Sequence, residues 1–341
     1  MIVDVHAHYY PEEYVAELAR DAEFELTRDD FGNRVFWYQG ARVFTVPEPN
    51  RDPAARVAEL DAAGVDVEVL SLGTPNVYVR DDDTSRALAR MTNDILAELV
   101  RGYPGRFRAL ASLPLGSIDG ALRELDRAIG ELGMDGVQLG TNYRGEYFDA
   151  PRFAPLLAEL DRRGVPVLLH PVPRLEVGED REYALCMMLD FTFDTTRTVA
   201  RLVLSGSLDR YRNIDWILSH GGGALPYLQG RMDFGHRIFP ESRRPEFQPS
   251  AYLGRLFYDT MVSGHAPALR CLLDTVGAQQ IVFGTDCPHN PAGASLDDLG
   301  AWGLPETDLD AVLAGNARRL FPALAADGVV GGSGTATGEP S

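Results

Sequence analysis

Short apolar runs rich in β-branched residues recur along this chain, and most are followed by a longer stretch in which apolar residues return every three to four positions. The runs are Ile2–His6, Val65–Leu72, Phe107–Leu115, Gly136–Gly140, Val165–His170, Ile214–His220, Leu256–Met261 and Gln280–Thr285. The periodic stretches between and after them predict helices over Pro53–Ala63, Thr84–Tyr103, Ile118–Leu132, Pro151–Arg163, Phe193–Ser207, Ala224–Gly235, Pro267–Val276 and Leu309–Leu320. Asp52-Pro53 supplies a capping side chain and a proline at the first helical position, and Gly64 and Gly164 stand where helices stop. Strands that are apolar almost throughout are buried on both faces, which means parallel strands joined by helices. The class is therefore α/β, and eight such units close into a (β/α)8 TIM barrel with its chemistry at the C-terminal ends of the strands. An open doubly wound sheet is the alternative, but the first strand lacks the glycine-rich loop that a nucleotide-binding version carries there.

Two stretches break the rhythm and distort the barrel. Phe24–Val46 alternates polar and apolar residues around Asp30-Phe-Gly-Asn, predicting a small β-hairpin within an insertion of about residues 9–50. Pro171–Leu189 is long, of mixed charge, and carries Met187-Met188, a candidate flap over the barrel mouth, where loops set specificity. One barrel domain over residues 1–325 accounts for the rest. The glycine-rich end, residues 326–341, is expected to be disordered.

A net charge of −18 argues against nucleic acid or an anionic membrane as partner. Every basic residue except histidine is arginine, so Schiff-base chemistry, a P-loop and a carbamylated lysine bridging two metals are excluded together. Cys186, Cys271 and Cys287 are odd in number and far apart, as in a reducing compartment. With no leader-like N-terminus and no apolar run of membrane-spanning length, a cytoplasmic location is expected.

Chemistry enters at the strand ends. In Val3-Asp-Val-His6-Ala-His8 the two imidazoles lie two residues apart on a strand and so share a face, half of a metal site. His170, His220 and Asp286 each close an apolar run, which places them all on one rim. His6, His8, His170 and Asp286 make a ligand set for one divalent ion, Zn2+ or another borderline metal, with an open position. His220 precedes Gly-Gly-Gly, where backbone approaches closely, and is the candidate general base or an anchor for a developing oxyanion. Asp286 is placed both to touch the metal and to move a proton. His289 follows close behind as a residue that orients a ligand or meets the substrate. His236 and His265 sit at helix ends, where capping is the ordinary role, and Cys287 is expected to pack rather than react.

Asp4-Val-His6-Ala-His8, His170-Pro, Ser219-His220-Gly-Gly-Gly and Gly284-Thr-Asp286-Cys-Pro-His289 together resemble the amidohydrolase superfamily. The closer resemblance, over roughly residues 1–322, is to its branch around 2-amino-3-carboxymuconate-6-semialdehyde decarboxylase. It implies a mononuclear, nonhydrolytic C–C lyase, usually with zinc and sometimes with manganese, acting on a small unsaturated or aromatic carboxylic acid, with His6, His8, His170 and Asp286 as metal ligands and His220 as its catalytic histidine. It also implies a homodimer in which Arg231 reaches the carboxylate in the neighbouring subunit's site; a surface ion pair is the plainer role for that residue. The same metal and rim could instead hydrolyse a lactone or amide, or hydrate a C=C bond. A barrel with a vestigial site would have lost ligands, and none is missing here.

Overall fold

The structure, a computed structural model, describes residues 1–21, 23–47, 52–79, 81–174, 182–262 and 264–326. The chain opens on β1 (Val3–His8), buried over its whole length. A helix over Glu12–Ala19, which the sequence pattern did not suggest, leads into β2 (Phe24–Arg28), β3 (Arg34–Tyr38) and β4 (Ala41–Val46).

These last three form an antiparallel sheet in the order β2-β3-β4, so the insertion holds one strand more than a hairpin. The extra reversal is made by Gln39 and Gly40, with φ of 50° and 83°, the conformation that two-residue turns between antiparallel strands require. Phe36 stacks on Phe44 at 4.4 Å and Phe24 meets both edge-on, an aromatic core that holds the small sheet together.

The remaining strands are β5 (Val67–Ser71), β6 (Phe107–Ser112), β7 (Gly136–Gly140), β8 (Val167–His170), β9 (Trp216–Leu218), β10 (Phe257–Asp259) and β11 (Ile281–Val282). All pair in parallel in the order β1-β5-β6-β7-β8-β9-β10-β11. β11 then turns back to β1: Val5 N–H donates to Phe283 O at 2.9 Å and Asp286 N–H to His6 O at 2.7 Å. Eight parallel strands thus form a nearly closed TIM barrel, as expected. Val3, Val5, Val69, Leu110, Leu168, Ile217 and Val282 build an apolar cluster with Leu320 and Phe321 from the end of the described chain.

Most helices fall where periodicity put them. Asp52 caps the helix Pro53–Ala63 through Ala54 N–H at 2.9 Å, and Gly64 ends it at φ 75°. Asp81 caps the next helix, which therefore starts at Asp82, two residues earlier than expected. The predicted helix Leu309–Leu320 is interrupted by a π-turn over Ala311–Gly315. Its cause is local: Val312 O accepts from Phe283 N–H at 2.9 Å, and buried Asn316 donates to Ala278 O and Ile281 O, so both pull the helix onto the barrel. Residues 175–181, in the candidate flap, and 327–341, in the expected tail, lie outside the described residues.

Candidate metal centre and active site

Strand alternation alone carries His6 and His8 to the same side of β1, and both are fully buried. His170 ends β8, and Asp286 follows β11 where the chain crosses back over His6. That crossing needs Gly284: a Cβ there would sit 2.9 Å from the Cβ atoms of both His6 and Asp259. Four chain segments distant in sequence therefore meet at one end of the barrel.

Each imidazole has its outer nitrogen occupied. His6 Nδ1 lies 2.5 Å from Oδ2 of Asp259, whose carboxylate also accepts from His220 N–H, Gly221 N–H and Met261 N–H. His170 Nδ1 lies 3.0 Å from Pro171 O, which only accepts. His8 Nδ1 lies 3.1 Å from Ser71 Oγ, whose own proton goes to Ala7 O. The partners thus call for a proton on every Nδ1 and leave every Nε2 as a bare lone pair.

Those lone pairs converge. His8 Nε2 stands 3.2 Å from Nε2 of both His6 and His170. Oδ1 of Asp286 is 3.3, 3.0 and 3.9 Å from Nε2 of His6, His8 and His170. This oxygen is buried and makes no hydrogen bond. Acceptors this close repel one another unless a cation stands among them. Donors placed tetrahedrally about 2.1 Å from an ion are roughly 3.4 Å apart, so the separations fit one divalent metal.

The electrostatics agree. Burial works to lower the His6 pKa, but Asp286 and Asp259 carry it up to about 10, so the site draws a proton where a metal would sit. Burial pushes His8 down to about 4 and holds His170 well below the ordinary imidazole value. Burial would raise the Asp286 carboxyl, yet the imidazoles of His6, His220 and His8 hold it well below the usual carboxylate range.

His220 also belongs to the cluster. One ligand atom from each of His6, His170, His220 and Asp286 lies within 4.8 Å of the others, and these four form a metal site. The sequence expectation had named His8 rather than His220 among the ligands; the geometry brings all five residues to one point. His220 Nε2 lies 3.5 Å from Oδ2 of Asp286, and its Nδ1 is buried without a partner. His220 and Asp286 both take left-handed backbone conformations, φ 53° and 60°, unusual for residues with a Cβ. Gly223 (φ 64°) lets the loop after His220 press against Thr192, whose carbonyl a side chain would strike.

The cluster opens into a cavity of about 650 Å3. Phe44 and Thr45 come from β4, so the insertion forms part of the wall. Met187, Met188, Phe191 and Thr192 come from the described end of the candidate flap and the helix that follows it. Tyr10, Thr74, Met261 and His289 complete much of the remaining lining, with Tyr10 Oη 3.2 Å from His289 Nε2. His289 is thus at the site as expected. Arg231 is not: it is exposed on the helix Leu225–Ile238 and does not line the cavity of its own chain. His236 Nδ1 bonds Ser242 O at 2.8 Å, the helix-end role expected of it.

Sequence reasoning missed Asp259, Ser71, Thr74 and Tyr10. Asp259 closes the observed strand β10 but lies two residues inside the end of the run Leu256–Met261, so its one signal was a carboxylate within an otherwise apolar stretch. Tyr10 and Thr74 had none, since loop residues show no periodicity.

A family model described as Amidohydrolase matches residues 3–323, and the chain belongs to that family. The chain is 32% identical over 243 residues to 2-amino-3-carboxymuconate-6-semialdehyde decarboxylase of Dictyostelium discoideum, covering 70% of this chain and 67% of that one. It is 32% identical over 284 residues to gamma-resorcylate decarboxylase of Rhizobium sp. (strain MTP-10005), covering 78% and 86%. Among solved structures, dihydroxybenzoic acid decarboxylase from Polaromonas sp. JS666, with bound manganese and the inhibitor 2-nitroresorcinol, superposes with a TM-score of 0.75 at 26% identity, covering 94% and 96%.

Proposed function

We propose that this chain is a metal-dependent, nonhydrolytic decarboxylase, a carboxy-lyase of small aromatic or unsaturated carboxylic acids. The observation that carries the reading is the placement of a cation-demanding cluster and the His220–Asp286 pair at the end of a cavity walled by Phe44, Met187, Met188 and Phe191. Its similarity to decarboxylases of both muconate and resorcylate acids supports the reading.

A divalent ion bound there would polarise a substrate oxygen and stabilise the charge that rises as the C–C bond breaks. His6, His8, His170 and Asp286 would hold it, with His220 close beside; the imidazole donors favour zinc, and manganese, present in the Polaromonas structure, is the alternative. The aromatic and methionine walls clamp a flat ring and exclude water, which strengthens every charge interaction at the rim. A proton handed from His220 to Asp286 passes to the carbon that carries the carboxylate, the pair of the broken C–C bond replaces the π pair spent on the new C–H bond, and CO2 leaves. His220 keeps the proton balance through its 3.5 Å approach to Asp286. His289, its ring 6.1 Å from that of His8, orients the substrate beside the cluster.

The enzyme acts in the cytoplasm as a homodimer in which Arg231 of one copy fixes the carboxylate in the other. Its free cysteines fit that compartment, and among the described residues no helix is long and apolar enough to cross a membrane. The exposure of Arg231 leaves its guanidinium available to a second copy. Incubating metal-loaded protein with a panel of hydroxybenzoic and muconate acids tests the reaction: CO2 release supports decarboxylation, whereas a hydrolysed lactone or amide without CO2 would replace it by hydrolysis. Arg231→Ala protein is expected to show a raised KM at unchanged metal content.

A further inference from the structure

We propose that Asp259 is a positioning residue for this reaction, one carboxylate that sets the tautomer of His6 and the backbone pose of His220 at the same time. The turnover half of the argument rests on the decarboxylase reading; the metal half does not.

Asp259 ends β10, is fully buried, and does not line the cavity, so it meets neither substrate nor solvent. Its two oxygens accept four hydrogen bonds. Oδ2 takes the Nδ1–H of His6 at 2.5 Å and the backbone N–H of His220 at 3.0 Å. Oδ1 takes the backbone N–H of Gly221 at 2.8 Å and of Met261 at 3.1 Å.

Two consequences follow from that arrangement. An acceptor opposite Nδ1 fixes the His6 proton there and directs the Nε2 lone pair at the metal position. The paired N–H groups of residues 220 and 221 stand just where the chain is left-handed, at φ 53° and 60°, so the same acceptor ties down a conformation that His220 would not adopt by preference. A hydroxyl or a carbonyl has too few lone pairs to hold both. Gly284 packs its backbone against the Cβ atoms of Asp259 and His6, which keeps the carboxylate from swinging out of place. Metal ligand and proton carrier are thereby held in fixed relation through a residue that touches neither the ion nor the substrate.

Asp259→Asn tests this at constant shape. If the amide keeps its oxygen on the N–H groups of Gly221 and Met261, its NH2 replaces Oδ2, faces His6 Nδ1 and drives the His6 proton onto Nε2, and leaves the N–H of His220 without its acceptor. Apo protein titrated with Zn2+ or Mn2+ against a competing chelator is expected to bind about 10- to 100-fold more weakly than wild type. At saturating metal, kcat is expected to stay at least about 10-fold low while KM changes little, because His220 is no longer held. Wild-type metal affinity, or full recovery of kcat once metal is saturating, overturns the proposal. Should the variant not fold, the imidazole 15N spectrum of metal-loaded wild type decides: a proton on His6 Nδ1 supports the assignment and its absence overturns it. The titration needs no turnover, so weakened metal binding in a protein whose wild type releases no CO2 would indict the decarboxylase reading and not the role of Asp259 at His6.

Discussion

Thr285 donates from Oγ1 to Oδ2 of Asp4 at 2.6 Å, and its backbone N–H reaches Oδ1 of the same carboxylate at 3.2 Å. Asp4 lies in β1 and Thr285 three residues after β11; His6 stands two residues past Asp4, and Asp286 directly follows Thr285. Asp4 also accepts from His6 N–H at 3.0 Å, so one buried carboxylate laces the seam that brings two metal ligands together. Burial, aided by Glu68, pushes its pKa up to about 7.

Replacing Thr285 by valine keeps the shape and removes the hydroxyl. One oxygen of Asp4 is then buried unpaired, a loss of about 1–3 kcal/mol. Denaturant unfolding of apo Thr285→Val protein should show that loss, and its metal affinity should fall with it. A variant as stable and as metal-avid as wild type would remove the seam from the account.

His220→Gln separates the two duties open to that residue. With His6, His8, His170 and Asp286 as the ligands, metal content stays at the wild-type level while kcat falls by about 10^2- to 10^4-fold. Loss of the metal together with activity would make His220 a ligand first.

Away from the site, Glu159 is pulled down to about 2 from its ordinary 4.5 by hydrogen bonds from Arg162 and Arg163 on the same helix. A carboxylate whose folded pKa is depressed contributes stability in full above 4.5 and loses it as pH falls toward 2. The pairs are partly solvated, so the contribution is small. The Tm difference between wild type and Glu159→Gln should therefore be present at neutral pH and shrink between about pH 4.5 and 2; a difference independent of pH would show that the ion pairs contribute nothing.

The barrel and its ligands were legible because both depend on local pattern. Eight apolar runs announced eight buried strands, and a polar residue at the end of such a run has one place to be. His6, His8, His170, His220 and Asp286 all follow from that rule. Asp259 ends β10 but lies inside the run Leu256–Met261, so the pattern did not mark it as a strand end. The third strand of the insertion escaped because Gln39-Gly40 is a weak turn signal beside Asp30-Phe-Gly-Asn, although Gln39 still takes a positive φ. The break in the last helix was hidden for another reason: a carbonyl of the helix serves Phe283 across the barrel, and no periodicity within Leu309–Leu320 records that. Arg231 is exposed and outside the cavity of its own chain, so the geometry of one chain assigns it no role.

Metal analysis of the purified protein, read alongside CO2 release, reaches the centre of the account. One divalent ion per chain is predicted, removed by chelation together with decarboxylation of the acid panel and restored with it on reconstitution; Asp286→Ala protein should hold substoichiometric metal and release no CO2. Full turnover in metal-free protein, or metal binding indifferent to both His6→Ala and Asp286→Ala, would contradict it.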